Sequence, residues 1–158
     1  MANTQSMTTS FMGELMTATH NFGTAPIRAA TTADTFKAAL YLTSATINAA
    51  TTAYSSTGEV TGTNYTAGGV TVTNATAPIA TNSSATAGVA YWTPSASITY
   101  TTVTLSTAFD CVLIYNSTQS NKAVSVHTFG SQTITAGTFT LTMPSNTTTT
   151  ALLRLSTT

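Results

Sequence analysis

The sequence predicts an all-β protein, an antiparallel β-sandwich with one short N-terminal helix. Short runs alternate polar with apolar residues and are rich in Val, Ile, Thr, Tyr and Phe, which is typical of strands. Clusters of Gly, Pro, Asn and Ser separate these runs, and helical patterns do not alternate with them. At 158 residues the chain has the size of a single domain. A jelly roll is one arrangement of eight short strands, and an immunoglobulin-like order is the alternative, although its cysteine–tryptophan–cysteine signature is missing.

The helix is predicted within residues 8–22, "TTSFMGELMTATHNF". Thr9 or Ser10 can cap its start, with Glu14 in the first turn. An isolated helix of this length is marginal in water, so it must pack on its own sheet or on a neighbouring molecule. Its apolar residues are therefore candidate contacts with another subunit or with a larger particle: Phe11, Met12, Leu15 and Met16.

The pattern divides the chain into an arm and linker over residues 1–33 and a sandwich domain over residues 34–158. The first strand, residues 35–43, places Phe36 and Leu40 on one face. Pro78 limits its own segment to a short edge strand. Residues 109–116, "FDCVLIYN", are apolar on both faces, which predicts a central strand covered on both sides. The remaining strands are predicted at residues 69–74, 89–93, 97–105, 122–129, 138–143 and 151–156.

Residues 51–69, "TTAYSSTGEVTGTNYTAGG", most resemble a ligand-binding loop. A nucleotide-binding loop would need a lysine after the glycines or a helix after the segment, and the sequence has neither. We therefore predict a structural loop in which Glu59 accepts hydrogen bonds from backbone amides, while Tyr54 and Tyr65 pack against the sheet. The glycines are expected to turn the chain through positive φ: Gly58, Gly62, Gly68 and Gly69.

Charged residues make up 5% of the chain, and its net charge is zero. Four scattered cations do not form the basic stripe that nucleic acids or anionic membranes require. No apolar run is long enough to span a bilayer, and the N-terminus lacks the basic and apolar regions of a signal peptide. We predict neither a nucleic-acid nor a membrane partner.

Groups for catalysis or metal binding are equally scarce. The pair Glu59 and Asp110 is a weak candidate for glycoside hydrolysis, since four acids always contain some pair. His20 is expected as a capping or surface residue, and Cys111 as a buried apolar one. Clusters that would bind zinc or calcium are absent from the sequence. We predict no enzyme activity, no catalytic residue, no metal and no cofactor.

Threonine makes up about a quarter of the chain, far above its usual share. A surface rich in hydroxyls and poor in charge fits a protein covered by identical copies or by a larger particle. A secreted, glycosylated stalk is the rival interpretation, since several Asn-x-Ser/Thr triplets occur.

Four segments resemble a family of small virion proteins of tailed bacteriophages: "DTFKAALY", "TINAATTAYSSTGEVTGTNYTAGGVTVT", "VLIYNSTQSNKAVSVHTFGSQTITAGTFTLTMP" and "ALLRLS". The resemblance runs from about Asp34 to Leu155. It implies a structural protein assembled into virions in the bacterial cytoplasm. The first choice for this chain is a capsid decoration (cement) protein that binds the major capsid protein or other virion proteins. Three-fold capsid positions favour a homotrimer.

A tail, neck or fibre-tip protein is the alternative within the same structural class. It would contact host glycans through the exposed tyrosines that the sequence predicts, Tyr65, Tyr91 and Tyr100. A carbohydrate-binding module is a further alternative and would need an aromatic patch in one groove.

Overall fold

The alternating runs form two antiparallel sheets that pack against each other, which confirms the predicted β-sandwich. The computed structural model describes residues 3–16, 19–20, 22, 33–73, 77–81 and 88–156, and only the backbone of residues 9, 12, 13 and 16. Within these residues lie the helix α1 (Thr9–Met16) and the strands β1 (Ser6–Met7), β2 (Phe36–Leu42), β3 (Val70–Thr71), β4 (Ile79–Thr81), β5 (Val89–Trp92), β6 (Ile98–Asn116), β7 (Lys122–Leu141) and β8 (Leu153–Ser156).

One long hairpin, β6 and β7, replaces the four short strands predicted at residues 97–105, 109–116, 122–129 and 138–143. The sequence pattern was misleading because Gly130 and Gly137 were interpreted as turns, whereas both lie inside β7. The pairing of β6 with β7 shifts register at several points, and Thr102 and Ala136 adopt φ of 50° and 45°. Such bulges bend a strand without ending it.

The larger sheet has the order β1-β7-β6-β2-β3, and the smaller sheet has the order β4-β5-β8. Strands β2 and β6 pair from Phe36 and Asn116 to Leu42 and Phe109. The two-residue strand β1, which lies in the predicted arm, was not predicted.

Both faces of the larger sheet are covered, as predicted for residues 109–116. On one face, Phe109, Val112 and Ile114 join the main core, which also contains Trp92 of β5 and Leu153 of β8. The opposite face carries a second apolar cluster in which Cys111, Leu113 and Tyr115 pack with residues of the long segment between β2 and β3. The segment singled out from the sequence therefore contributes to a third layer.

The helix α1 packs on its own chain. Phe11 is 2% exposed and belongs to the main core, and Leu15 packs against that core. Its cap is Thr8, not Thr9 or Ser10, because the Thr8 hydroxyl accepts a hydrogen bond from the Phe11 N–H and lies within 3.2 Å of the Ala123 carbonyl. The first turn carries no acid, so the expected position of Glu14 was also wrong. Among the helices of the described ranges, none has the length and hydrophobicity to cross a membrane.

Candidate functional site: a buried glutamate among tyrosines

Glycines allow the segment of residues 51–69 to lie close against the larger sheet. The prediction of positive φ is confirmed at Gly58, Gly68 and Gly69, with φ of 78°, 87° and 70°. At Gly69 a Cβ would also lie 1.7 Å from the Ala38 carbonyl oxygen of β2. A side chain at this position would therefore force the segment away from the sheet.

At Gly62 the prediction of positive φ is wrong. This glycine is required because the backbone passes close to β6, where a Cβ would lie 2.0 Å from the Thr104 carbonyl oxygen. Thr63 and Thr104 form an isolated bridge at the same point. The sequence indicated that this position requires glycine, but not that the reason is the close approach to β6 rather than a positive φ.

Glu59 lies at the centre of this segment and is 6% exposed. Its Oε2 accepts a hydrogen bond from the Tyr54 hydroxyl at 2.7 Å. Its Oε1 accepts bonds from the Tyr65 hydroxyl and the Gly68 N–H, each also at 2.7 Å. The carboxylate therefore joins three points of one segment. The sequence predicted its hydrogen bond to a backbone amide but not its hydrogen bonds to the two tyrosine hydroxyls.

Two stacked tyrosine pairs surround this carboxylate. The rings of Tyr54 and Tyr115 stack with centroids 4.7 Å apart, and those of Tyr65 and Tyr100 with centroids 6.0 Å apart. The predicted packing of Tyr54 and Tyr65 against the sheet is thus confirmed. The remaining hydroxyls donate to backbone carbonyls: Tyr41 to Ser55, Tyr100 to Ala38 and Tyr115 to Gly68.

The electrostatics of the cluster keep these hydroxyls protonated. Burial, together with the hydrogen bonds to Glu59, raises the pKa of Tyr54 and Tyr65 far above the ordinary value of a phenol. Burial raises the pKa of Tyr115 to about 12, with Glu59 adding to the effect. All three act as hydrogen-bond donors at neutral pH, so the cluster offers neither a tyrosinate nucleophile nor an unoccupied carboxylate oxygen.

A second polar cluster, which sequence reasoning missed, joins the N-terminal segment to the hairpin. His20 is 8% exposed rather than at the surface, and its Nε2 lies 2.7 Å from Glu14. Lys122 of β7 donates to the other Glu14 oxygen at 2.5 Å. Asn116 of β6 donates to Asp34 at 2.8 Å and lies 3.0 Å from the His20 Nδ1. His20 and Glu14 are six positions apart, but the contacts made by Asn116 and Lys122 join residues 82 to 108 positions apart, which no local pattern could reveal.

The charges in this second cluster favour a neutral histidine beside a carboxylate. Burial lowers the pKa of His20, although Glu14 and Asp34 oppose this effect. Since the Asn116 amide donates toward Nδ1, the proton of the neutral ring lies on Nε2 and is donated to Glu14. Burial alone would raise the pKa of Glu14, but the hydrogen bonds from Lys122 and His20 outweigh it and lower that pKa.

Other nucleophilic groups are also buried. Ser125 lies 2.9 Å from the His127 Nε2, but Ser125 is 1% exposed. Cys111 is fully buried, as predicted, and burial beside Asp110 raises the pKa of its thiol to about 12. A substrate therefore cannot reach either nucleophile in this fold.

The weak glycosidase pair gains no support from the geometry. Both oxygens of Glu59 accept hydrogen bonds within the loop, and Asp110 accepts one from Asn3 at 2.5 Å. In the part of the chain that the structure describes, no three His, Cys, Asp or Glu side chains are grouped to hold a metal ion.

The candidate contact residues lie on α1. Phe11 faces the main core, which accounts for its apolar character without a second molecule, and Leu15 is half-buried against the same core. The side chains of Met12 and Met16 lie outside the described atoms. A subunit contact through this helix stays a prediction.

Of the three tyrosines expected at the surface, Tyr100 is 2% exposed, so the expectation for it was wrong. Tyr65 is half-buried with its hydroxyl bound to Glu59, and Tyr91 of β5 is half-buried.

Comparison with known proteins gives no match for this chain among family models, curated proteins or solved structures.

Proposed function

We propose that this chain is a structural protein of a tailed-bacteriophage virion, a capsid decoration protein that binds and stabilises the shell. The sequence resemblance to phage virion proteins motivates this function, and the fold is compatible with it. The proposal assigns the protein no reaction and no cofactor.

The observation that best supports a structural role is the inward orientation of the reactive groups. Glu59, His20, Ser125 and Cys111 are each less than 9% exposed, and each of the first three makes hydrogen bonds within the chain. Catalytic sites instead place convergent titratable groups where a substrate can contact them. Many of the exposed residues are threonines and serines, whose hydroxyls hydrate well and carry no charge.

A decoration protein should be abundant in the particle and should bind largely through uncharged surface. Quantitative mass spectrometry of purified virions is expected to give a copy number comparable with that of the major capsid protein. Purified protein added to shells that lack it should restore full occupancy, and binding should weaken little with rising salt because the chain carries so few charges.

A few copies per particle would contradict the decoration role and favour the tail, neck or fibre-tip alternative. Absence from purified virions would contradict the virion assignment as a whole. Specific, saturable binding on a glycan array would favour a carbohydrate-binding protein instead.

A further inference from the structure

The outer edge of β7 is long, and over much of its length no strand of the described residues pairs with it. β1 pairs with β7 only at Ser125 and Val126. Beyond that point, β6 is the sole strand that pairs with β7 among the described residues. We call residues 129–141 of β7 the free edge. About half of its residues direct their N–H and C=O groups away from β6, as the geometry of an antiparallel strand requires.

Apolar side chains along the free edge are incompletely covered. Phe129, Ile134, Phe139 and Leu141 pack against the main core, yet each remains partly exposed. On β6 the partners Ile98, Tyr100 and Leu105 are almost fully buried. The exposure of the apolar side chains therefore increases from β6 to β7, as expected at the edge of a sheet that lacks one further strand.

Natural proteins usually protect such an edge with charged residues, prolines, β-bulges or very short strands, and of these the free edge has only the irregularities of its pairing with β6. The free edge contains no proline, and the chain has no Lys, Arg, Asp or Glu between Lys122 and Arg154. Its exposed side chains include Thr133, Thr135, Thr138 and Thr140. The register with β6 shifts at four points between Thr128 and Phe139, and the pairing is regular from Phe139 to Leu141.

We propose that the free edge is a self-association surface at which β7 pairs antiparallel with β7 of a second copy across a two-fold axis. The inference rests on the self-association that belongs to the proposed function, and it specifies the surface. It favours a two-fold dimer as the basic unit over the trimer that the sequence resemblance favoured.

Two observations point to a second copy as the occupant. A charged partner would find no opposite charge on the free edge, whereas two copies with zero net charge do not repel each other. Edge length also matters, because the other outer strands of the two sheets, β1, β3, β4 and β8, are two to four residues long. Only the same edge of another copy offers a strand of matching length, and like surfaces pair about a two-fold axis.

The first experiment measures oligomeric state by sedimentation and light scattering of the purified chain. The wild-type protein is expected to form a dimer, twice the 16.2 kDa of one chain. The double variant Thr138→Lys/Thr140→Lys places like charges opposite each other across the axis and should raise the dissociation constant by about 10- to 100-fold. The matched control, Thr43→Lys/Thr57→Lys, adds the same charge at exposed loop positions away from β7 and should leave the dimer intact.

The second experiment does not depend on tolerance of lysine at the edge. Single substitutions to cysteine at Thr133, Thr135, Thr138 and Thr140 scan the free edge, while the native Cys111 is buried. Residues opposite each other in paired strands lie within the range that a disulfide spans. Each variant is oxidised alone and mixed with each of the others, because only a residue on the two-fold axis faces its own copy. At least one combination should give a disulfide-linked dimer, and Thr57→Cys should not.

The outcomes separate this inference from the proposed function. A wild-type monomer or trimer overturns the two-fold pairing, whereas copy number in virions tests the virion role independently. A wild-type dimer that withstands the lysine pair and gives no cross-link at any of the four positions shows that the copies meet elsewhere.

Discussion

Replacing Glu59 with glutamine tests whether the buried carboxylate anchors the loop. The carboxylate accepts three hydrogen bonds of 2.7 Å, from Tyr54, Tyr65 and the Gly68 N–H. Hydrogen bonds to a charged group contribute about 1.5–3 kcal/mol each, against about 1 kcal/mol for neutral ones. Glutamine keeps one acceptor oxygen and turns the other into a donor, so the free energy of unfolding should fall by about 2–3 kcal/mol. Glu59→Ala leaves all three donors without this acceptor and should cost about 3–5 kcal/mol.

Urea denaturation followed by tyrosine and tryptophan fluorescence measures both losses as shifts of the midpoint at constant slope. Tyr54→Phe removes one donor but keeps the ring stack on Tyr115, so it should cost about 1 kcal/mol. Tyr91→Phe is the matched control, since no hydrogen bond is found for the Tyr91 hydroxyl in the described part of the chain, and it should be nearly neutral. Wild-type stability in Glu59→Gln would refute the anchoring role.

Three further predictions concern single side chains. Burial lowers the pKa of His127 to about 4, below the ordinary value of 6.5, so below pH 6.5 the unfolded chain binds more protons than the folded chain. The free energy of unfolding should therefore fall by on the order of 1–2 kcal/mol as the pH drops from 6.5 toward 4. The urea midpoint of His127→Gln should depend less on pH than that of the wild type. Gly62→Ala should lose about 2–4 kcal/mol because its Cβ meets a carbonyl oxygen, whereas Gly130→Ala, which meets nothing within 4 Å, should stay within about 0.5 kcal/mol; equal urea midpoints for the two would contradict the close approach. Cys111 should react with a maleimide only after unfolding, and rapid labelling of the folded chain would show that its burial is wrong.

Local patterns were sufficient to predict β2 and the two-sided burial of residues 109–116. Both depend on alternation and on β-branched or aromatic side chains, which report burial directly. The same reasoning divided the hairpin at Gly130 and Gly137, because a glycine has no side chain to mark it as part of a strand. The bulges that keep these residues in β7 depend on pairing with β6, and no window of sequence contains both strands.

The two polar clusters also differ in how far the sequence could predict them. Glu59 was identifiable because acids are so rare in this chain, and a bond to a loop amide was expected, although the sequence did not indicate that the amide belongs to Gly68. The cluster of His20 with Glu14 was not predicted, because it also needs Asn116 and Lys122 from the far end of the chain. Contacts of this kind are set by topology, which local propensity does not determine.

The docking of the N-terminal segment has a consequence for synthesis on the ribosome. Thr8 bonds to Val124, 116 positions later, and β1 pairs with the same part of β7. At about 5–20 residues per second, roughly 6 to 23 seconds separate the emergence of these partners. Residues 6–8 are therefore made well before the strand on which they dock, and they can pair with it only after that part of β7 has emerged.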